Sequence, residues 1–527
     1  MKLLQKIGAA LAVATLVLGS CEQGAGVARI EEGTAITIGS AESLAKIGVD
    51  ADFPLNGSYR LTADLTLNNW TPLGDFEQEF SGVFDGAGRT ITFAGSGGRG
   101  TGGLFAFIKD AAIRRLTVAG TITAESTEGE PIQVGGVAGN AVASVIENCT
   151  SSVDITATGR GHNSAAGGIV GFMRQNTTIR ACAATGDIVL KAEGQDGAGD
   201  GLMLYAGGIA GYSGTGTAGE GVSGCEIIGT SWQGGTVSAE GAYPYAGGIA
   251  GYNYTGAAIR QCFTTGTVRA NGKNLPYSGG VAGYNSGYVQ QTLQAGGDAQ
   301  PIVSLIENCY STAEVIAKSD SKAALSGGIA GANARGAVIS KCYATGLVTA
   351  KVNGSSTAGN GGTLGVPAAA NAGGIAGAQY YTHPGGPAPR IEFCAALNPS
   401  LTGEDTATGA SWNIHRIAGK GDTVYNSVLG TTSSFDTGKW LNNIANEDMF
   451  ITLTPPPPPL IPASTTKTAR TARHSRCNLS TKTRWAGIST ASGKWAEDTR
   501  CFEFRAGSSE YAVWLDCRAM VRLLHRS

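Results

Sequence analysis

The chain has 527 residues with 38 Lys+Arg against 40 Asp+Glu, and charged residues make up only 15% of it. Gly is 81 of the 527, about twice the ordinary share of roughly 7%. This composition excludes a coiled coil, a collagen and a basic nucleic-acid binder, while a hydrophobic content of 42% supplies the core of a weakly charged, Gly-punctuated β protein.

Lys2 and Lys6 flank the start of an apolar run, Ile7 to Leu18, which is too short to span a bilayer of about 30 Å. The run ends in Leu18-Gly19-Ser20-Cys21. That phrase resembles a bacterial lipoprotein signal, in which small residues admit the peptidase and the cysteine thiol takes the lipid. The resemblance implies a signal peptide over 1–20 and lipid attachment at Cys21, so that the mature chain is anchored to a membrane without crossing it. Each buried CH₂ of an acyl chain contributes about 0.8 kcal/mol, so several chains together hold firmly. Residues 21–35 read as a flexible leader and 36–100 as an N-terminal cap. Within the cap, Ser40 to Ile47 reads as a short helix with Ser40 as N-cap and Glu42 in its first turn.

From there one phrase recurs, Gly-Gly-(Ile/Val)-(Ala/Val)-Gly, beginning at Gly135, Gly167, Gly207, Gly247, Gly279, Gly327 and Gly373. A cysteine follows each copy: Cys149, Cys182, Cys225, Cys262, Cys309, Cys342 and Cys394. An aliphatic residue sits three before each: Ile146, Ile179, Val222, Ile259, Ile306, Ile339 and Ile391. The copy from Gly247 holds three short β-like pieces, GGIAGY, AIRQCF and GTVRA, punctuated by turn residues. Such a unit cannot bury its own apolar face, but stacked copies can, like residue over like at about 4.8 Å. The fold expected is all-β, a right-handed parallel β-helix (β-solenoid) of about eight irregular rungs over 101–450. The stretches Gly287–Val303 and Asn353–Asn371 are expected to loop outward.

The phrase GGIAGYN…GAAIRQCFTTGTV resembles the GLUG repeat of bacterial surface proteins, over residues 135 to about 400. The upstream segment, Tyr59 to Leu65, Trp70 to Gly74 and Phe80 to Ile91, is similar to the leading part of those proteins. The resemblance implies a β-solenoid with an N-terminal cap.

Residues 451–465 read as a Pro-rich linker around Pro455 to Pro459. The stretch 466–527 is basic. From Leu460 onward there are 12 Lys+Arg against 5 Asp+Glu, and only 3 of the 81 glycines. This tail is a binder of anionic surfaces, a small separate or disordered segment, or the product of a slipped reading frame. The abrupt change in composition favours the last.

The repeat cysteines have no C-x-x-C spacing, so zinc ligation is unsupported, and they read as a buried structural ladder. The histidines, His162, His383, His415, His474 and His525, are scattered. The acids Asp64, Asp75, Glu77, Glu79 and Asp85 lack the spacing of a Ca²⁺ loop. No metal or cofactor is expected. Two aromatic columns are the candidate ligand contacts. Phe172, Tyr212, Tyr252 and Tyr284 follow the third motif glycine, and Phe263, Tyr310 and Tyr343 follow the cysteine. Asn253, Asn285 and Asn333 come next after the first column and read as an amide ladder.

The function expected is that of a non-catalytic, monomeric cell-envelope lipoprotein. It meets the membrane through its N-terminal lipid, and its solenoid binds a glycan or a host or cell-surface protein, not nucleic acid. A polysaccharide lyase-like β-helix enzyme and a purely structural spacer are the alternatives.

Overall fold

The computed structural model describes residues 35–126, 129–192, 202–214, 224–289, 301–353, 369–381, 388–406, 412–426, 431–434 and 440–454. The signal peptide, Cys21, the leader before residue 35, and the linker and tail from residue 455 lie outside them, as do Val222 and most of the stretch 353–371.

The chain winds as a parallel β-helix. The turn from Tyr243 shows the plan: Tyr243–Gly247 lies in sheet I, Ala250–Tyr254 in sheet II, Ala258–Arg260 in sheet III, and Phe263–Thr264 with Thr267–Gly272 in sheet IV. Each strand pairs in parallel with its counterparts in the turns before and after. Tyr245 faces Tyr205 and Tyr277, Ile259 faces Ile227 and Ile306, and Val268 faces Val237 and Val315. Among the described residues, sheets I, II and III hold nine, ten and twelve strands. Sheet IV is open and runs as two ladders that branch from the long strand Thr150–Gly159. Outside the four sheets, Tyr288–Val289 pairs antiparallel with Pro301–Ile302, and residues 290–300 between them lie outside the described residues.

Sheet III is longer than the count of repeats implies. Ile36–Ile38, Ser58–Leu61 and Val83–Asp85 stack onto it ahead of the first repeat, with Phe84 of this upstream segment over Ile113. The helix α1 spans Ala41–Leu44, shorter than the stretch Ser40–Ile47. Ser40 accepts a hydrogen bond from the Ser43 amide at 3.2 Å, and the Ser43 hydroxyl accepts one from the Ser40 amide at 3.1 Å. Leu44 and Ile47 of this segment enter the main core.

The interior is a set of columns. Ile113, Ile146, Ile179, Ile227, Ile259, Ile306, Ile339 and Ile391 stand one above another, all fully buried. Each contributes about 1.5–3 kcal/mol by leaving water, but only if the neighbouring rung covers it. The motif glycines let the backbones approach that closely. A Cβ on Gly247 would lie 2.0 Å from the Ala250 carbonyl oxygen, and one on Gly248 2.3 Å from that of Gly280.

The copy at Gly207 departs from the expected frame. Ile227, two residues after Cys225, fills the isoleucine column, and Thr230 fills the cysteine column, its Oγ1 3.2 Å from the Cys262 Sγ. Cys225 is therefore not a rung of the sulfur ladder. It precedes its sheet III strand, level with Ala257, because the insertion in this copy precedes the strand and carries the cysteine out of phase.

The residue before the column cysteine takes a left-handed conformation in turn after turn, with φ of 54° at Asn148, 51° at Ala181, 60° at Gly229, 55° at Gln261, 53° at Asn308 and 53° at Lys341. One such residue per rung turns the chain from sheet III to sheet IV. Exposed Ala181 gains nothing from its side chain at this angle. Ala181→Gly is expected to raise stability by about 0.5–1 kcal/mol and Ala181→Val to lower it by about 1–2 kcal/mol. Urea midpoints check this, and a Val variant as stable as the parent contradicts it.

Candidate functional site

The first aromatic column lies on sheet II. Phe172, Tyr212, Tyr252 and Tyr284 pair in register, and their rings stack at centroid distances of 4.1, 5.7 and 5.1 Å. A second tyrosine column, Tyr205, Tyr245 and Tyr277 of sheet I, packs against it, with Tyr245 5.4 Å from Tyr252 and Tyr277 5.1 Å from Tyr284. The two columns form a hydrophobic cluster separate from the main core. Tyr212 and Tyr284 are buried in it, 7% and 3% exposed, so they are not the open ligand contacts expected of them. The reason is the sheet I column, which covers them. Phe172 and Tyr252 remain half-buried at the cluster's rim, as does Tyr254.

Below this column, Asn253, Asn285 and Asn333 form a ladder of amides, Nδ2 to Oδ1 at 2.8 and 2.9 Å. Asn253 and Asn333 also donate to the carbonyls of Ala257 and Ala337, bracing the turn from sheet II to sheet III.

Burial pushes the cluster's phenols up: Tyr245 and Tyr252 lie well above the usual tyrosine range. On sheet IV the Tyr343 phenol is pushed up to about 12 by burial and by Tyr310. The unfolded chain therefore ionises first, near its ordinary value of 10.0. The contribution of these rings is fully present below pH 10 and is lost as pH rises through 12. The buried thiols, whose ordinary value is 9.0, add a loss that begins about one pH unit earlier, so urea midpoints are expected to fall from about pH 9 and more steeply above pH 10; a rise between pH 9 and 12 contradicts the burial of these groups.

The second candidate column lies on the outer face of sheet IV. Phe263, Tyr310 and Tyr343 pair in register and stack at 5.1 and 5.0 Å, tilted by 6° and 3°. All three are half-buried. Two residues further along each rung come Thr265, Thr312 and Thr345, and two residues before come exposed Gln261, Asn308 and Lys341. The result is an aromatic strip between polar borders. Sheet III alongside carries a charge ladder: Arg260 bridges Glu226 and Glu307, and Lys341 reaches Glu307 at 2.9 Å.

Cys149, Cys182, Cys262, Cys309, Cys342 and Cys394 stand in one buried column and are free thiols. Each Sγ donates to the carbonyl two residues back at 3.1–3.3 Å. Each also lies 3.6–3.9 Å from the carbonyl of an isoleucine in the preceding rung. The thiol thus tethers the left-handed corner, which explains why Thr230 can stand in for it. Burial pushes Cys182, Cys262 and Cys342 well up, and Cys225 up to about 12. All seven thiols among the described residues are buried, so none is presented to solvent as a nucleophile.

Asp64, Asp75, Glu79 and Asp85 of the upstream acids serve structure, Glu79 through Lys109 at 3.4 Å. Asp64 accepts from the Thr90 amide, and Asp75 from the amides of Glu77 and Gln78. Burial pushes the Asp85 carboxyl up, but hydrogen bonds from Arg115 and the Ala87 amide and the charges of Arg115 and Arg114 hold it below the usual range. Among the described residues no group of three or more His, Cys, Asp or Glu converges, and no helix is long and apolar enough to cross a membrane.

Comparison with known proteins agrees with this frame. The family model of the GLUG motif matches residues 131–156 and 242–269. Each match runs from just before a sheet I strand into the sheet IV strand of the same turn. No curated protein matches the chain. Among solved structures, a Bacteroides ovatus protein titled a "putative immunoglobulin A1 protease" is similar at 18% identity, over 82% of this chain and 81% of that one, with a TM-score of 0.29. One rung frame carries both matches and repeats along the rod, so the chain carries the GLUG motif as a unit of its parallel β-helix.

Proposed function

We propose that this is a lipid-anchored envelope protein whose solenoid binds an extended glycan along sheet IV, without catalysing a reaction. The strip of Phe263, Tyr310 and Tyr343 between its Thr border and its Gln261, Asn308 and Lys341 border carries this reading. Stacked rings cover one another's faces. The strip therefore offers ring edges, flanking polar groups and the outer faces of Phe263 and Tyr343, which suits many weak contacts along a polymer more than one deep pocket. The acids and bases nearby are tied to one another in the sheet III ladder, which supports a binding role over acid–base chemistry.

Glycan-array binding by the mature chain tests the proposal. A neutral glycan is expected to bind, and the combined replacement of Phe263, Tyr310 and Tyr343 by Ala is expected to weaken binding roughly tenfold or more, about 1.4 kcal/mol or more for the three rings together. Unchanged binding in that variant, or no glycan bound at all, removes the reading and leaves the spacer. Radiolabelled palmitate incorporation that persists in Cys21→Ala removes the anchor.

A further inference from the structure

Arg174 ends a sheet II strand, Val170–Arg174, at the rim of the tyrosine cluster. It pairs in register with Gly214 of the next rung, so no side chain stands over it there. Its guanidinium lies over the Phe172 ring, 5.4 Å from the centroid. The side chain is half-buried, and its Nε is buried with no hydrogen-bond partner. Among the described residues no carboxylate pairs with it, although other arginines of the rod, Arg114, Arg115, Arg180 and Arg260, each have one. The groups acting on it electrostatically are the Tyr212 phenol and the Cys225 thiol, both raised by burial and so neutral at pH 7. Burial lowers the guanidinium from its ordinary value. A partly desolvated cation without an anion is costly, and an anion brought from outside relieves that cost.

The surroundings define what kind of anion fits. The half-buried Phe172 ring lies beside the guanidinium and stacks 4.1 Å from Tyr212 of the next rung. A planar guanidinium suits a carboxylate, and an aromatic ring edge beside it suits the C–H flank of a sugar unit. We propose that Arg174, with Phe172, forms a subsite for a carboxylate-bearing sugar unit of an acidic glycan. The subsite lies on sheet II and is distinct from the sheet IV strip, so either can fail without the other.

The test uses isothermal titration of the mature chain with trigalacturonate and with its fully methyl-esterified form, which has the same rings and no charge. The acid is expected to bind at least about tenfold more tightly than the ester, the range for a hydrogen bond between charged groups. Arg174→Gln is expected to abolish that preference, and Arg174→Lys, which keeps the charge but loses the planar fork, to retain only part of it. The combined sheet IV variant is expected to keep the preference intact. Thermal melting supplies the control: Arg174→Gln is expected to melt at or above the parent, since it removes an unpaired cation. Trigalacturonate is expected to raise the melting point of the parent but not that of Arg174→Gln. Equal binding of acid and ester, no binding of either, an undiminished preference in Arg174→Gln, or a large drop in its melting point overturns the proposal.

Discussion

Gly251→Val is expected to leave no stable rod. A Cβ at Gly251 would lie 2.7 Å from the Ala206 amide nitrogen and 2.7 Å from the Gly211 carbonyl oxygen. Both atoms are backbone of the preceding rung and cannot rotate away. Overpacking a core side chain costs about 1–3 kcal/mol. Here the clash is with hydrogen-bonded backbone, so the cost is at least about 3 kcal/mol, and because each rung is covered only by its neighbours it spreads along the array. Gly102→Ala is the matched control: its Cβ meets only the Val134 side chain, at an ordinary 3.5 Å. Circular dichroism and urea unfolding of the two purified variants are expected to differ sharply. A cooperative, parent-like transition in Gly251→Val would mean that sheets I and II do not approach as described.

Trp232→Ala is expected to cost about 3–5 kcal/mol, the range for truncating a large buried aromatic. Trp232 is fully buried in sheet IV, between Ala184 and Thr264 of the adjacent rungs. Its Nε1 donates to the Gly186 carbonyl at 3.3 Å. It fills the space over Gly208, where an added Cβ would come within 2.4 Å of the indole Cγ. Truncation opens a cavity that neighbouring rungs cannot collapse into without losing register. A loss below about 1.5 kcal/mol in chemical denaturation would place the indole outside the interior, because that is the range for conservative core changes.

How far the fold could be read depended on whether a signal was local. The spacing Ile-x-x-Cys marks one corner, so Ile146, Ile179, Ile259, Ile306, Ile339 and Ile391 could be aligned from the sequence, and they share a column. At the Gly207 copy the cysteine misled. Ile227-Ile228-Gly229-Thr230 repeats the same spacing with Thr for Cys, and Gly229 sits at the left-handed position; that phrase was the usable signal. The left-handed corner also left a trace in Asn148 and Asn308, each before its cysteine. Burial of Tyr212 and Tyr284 had no local trace, because it arises from Tyr205, Tyr245 and Tyr277 on another sheet. The upstream strands were hidden for a similar reason. Phe84 does in the stack what isoleucine does in the repeats, without the motif glycines around it.

Distances between rungs, rather than between sequence positions, test the central claim most directly. Thr185, Thr312 and Leu397 are exposed. Backbone hydrogen bonds place Thr185, Gln233, Thr265, Thr312, Thr345 and Leu397 on successive rungs of sheet IV. Spin labels at Thr185 and Leu397 are expected to give a separation near 24 Å, five steps of about 4.8 Å, and labels at Thr185 and Thr312 one near 14 Å, three such steps. Separations that do not scale with the number of rungs, or that exceed about 40 Å for the longer pair, contradict a stacked, in-register rod.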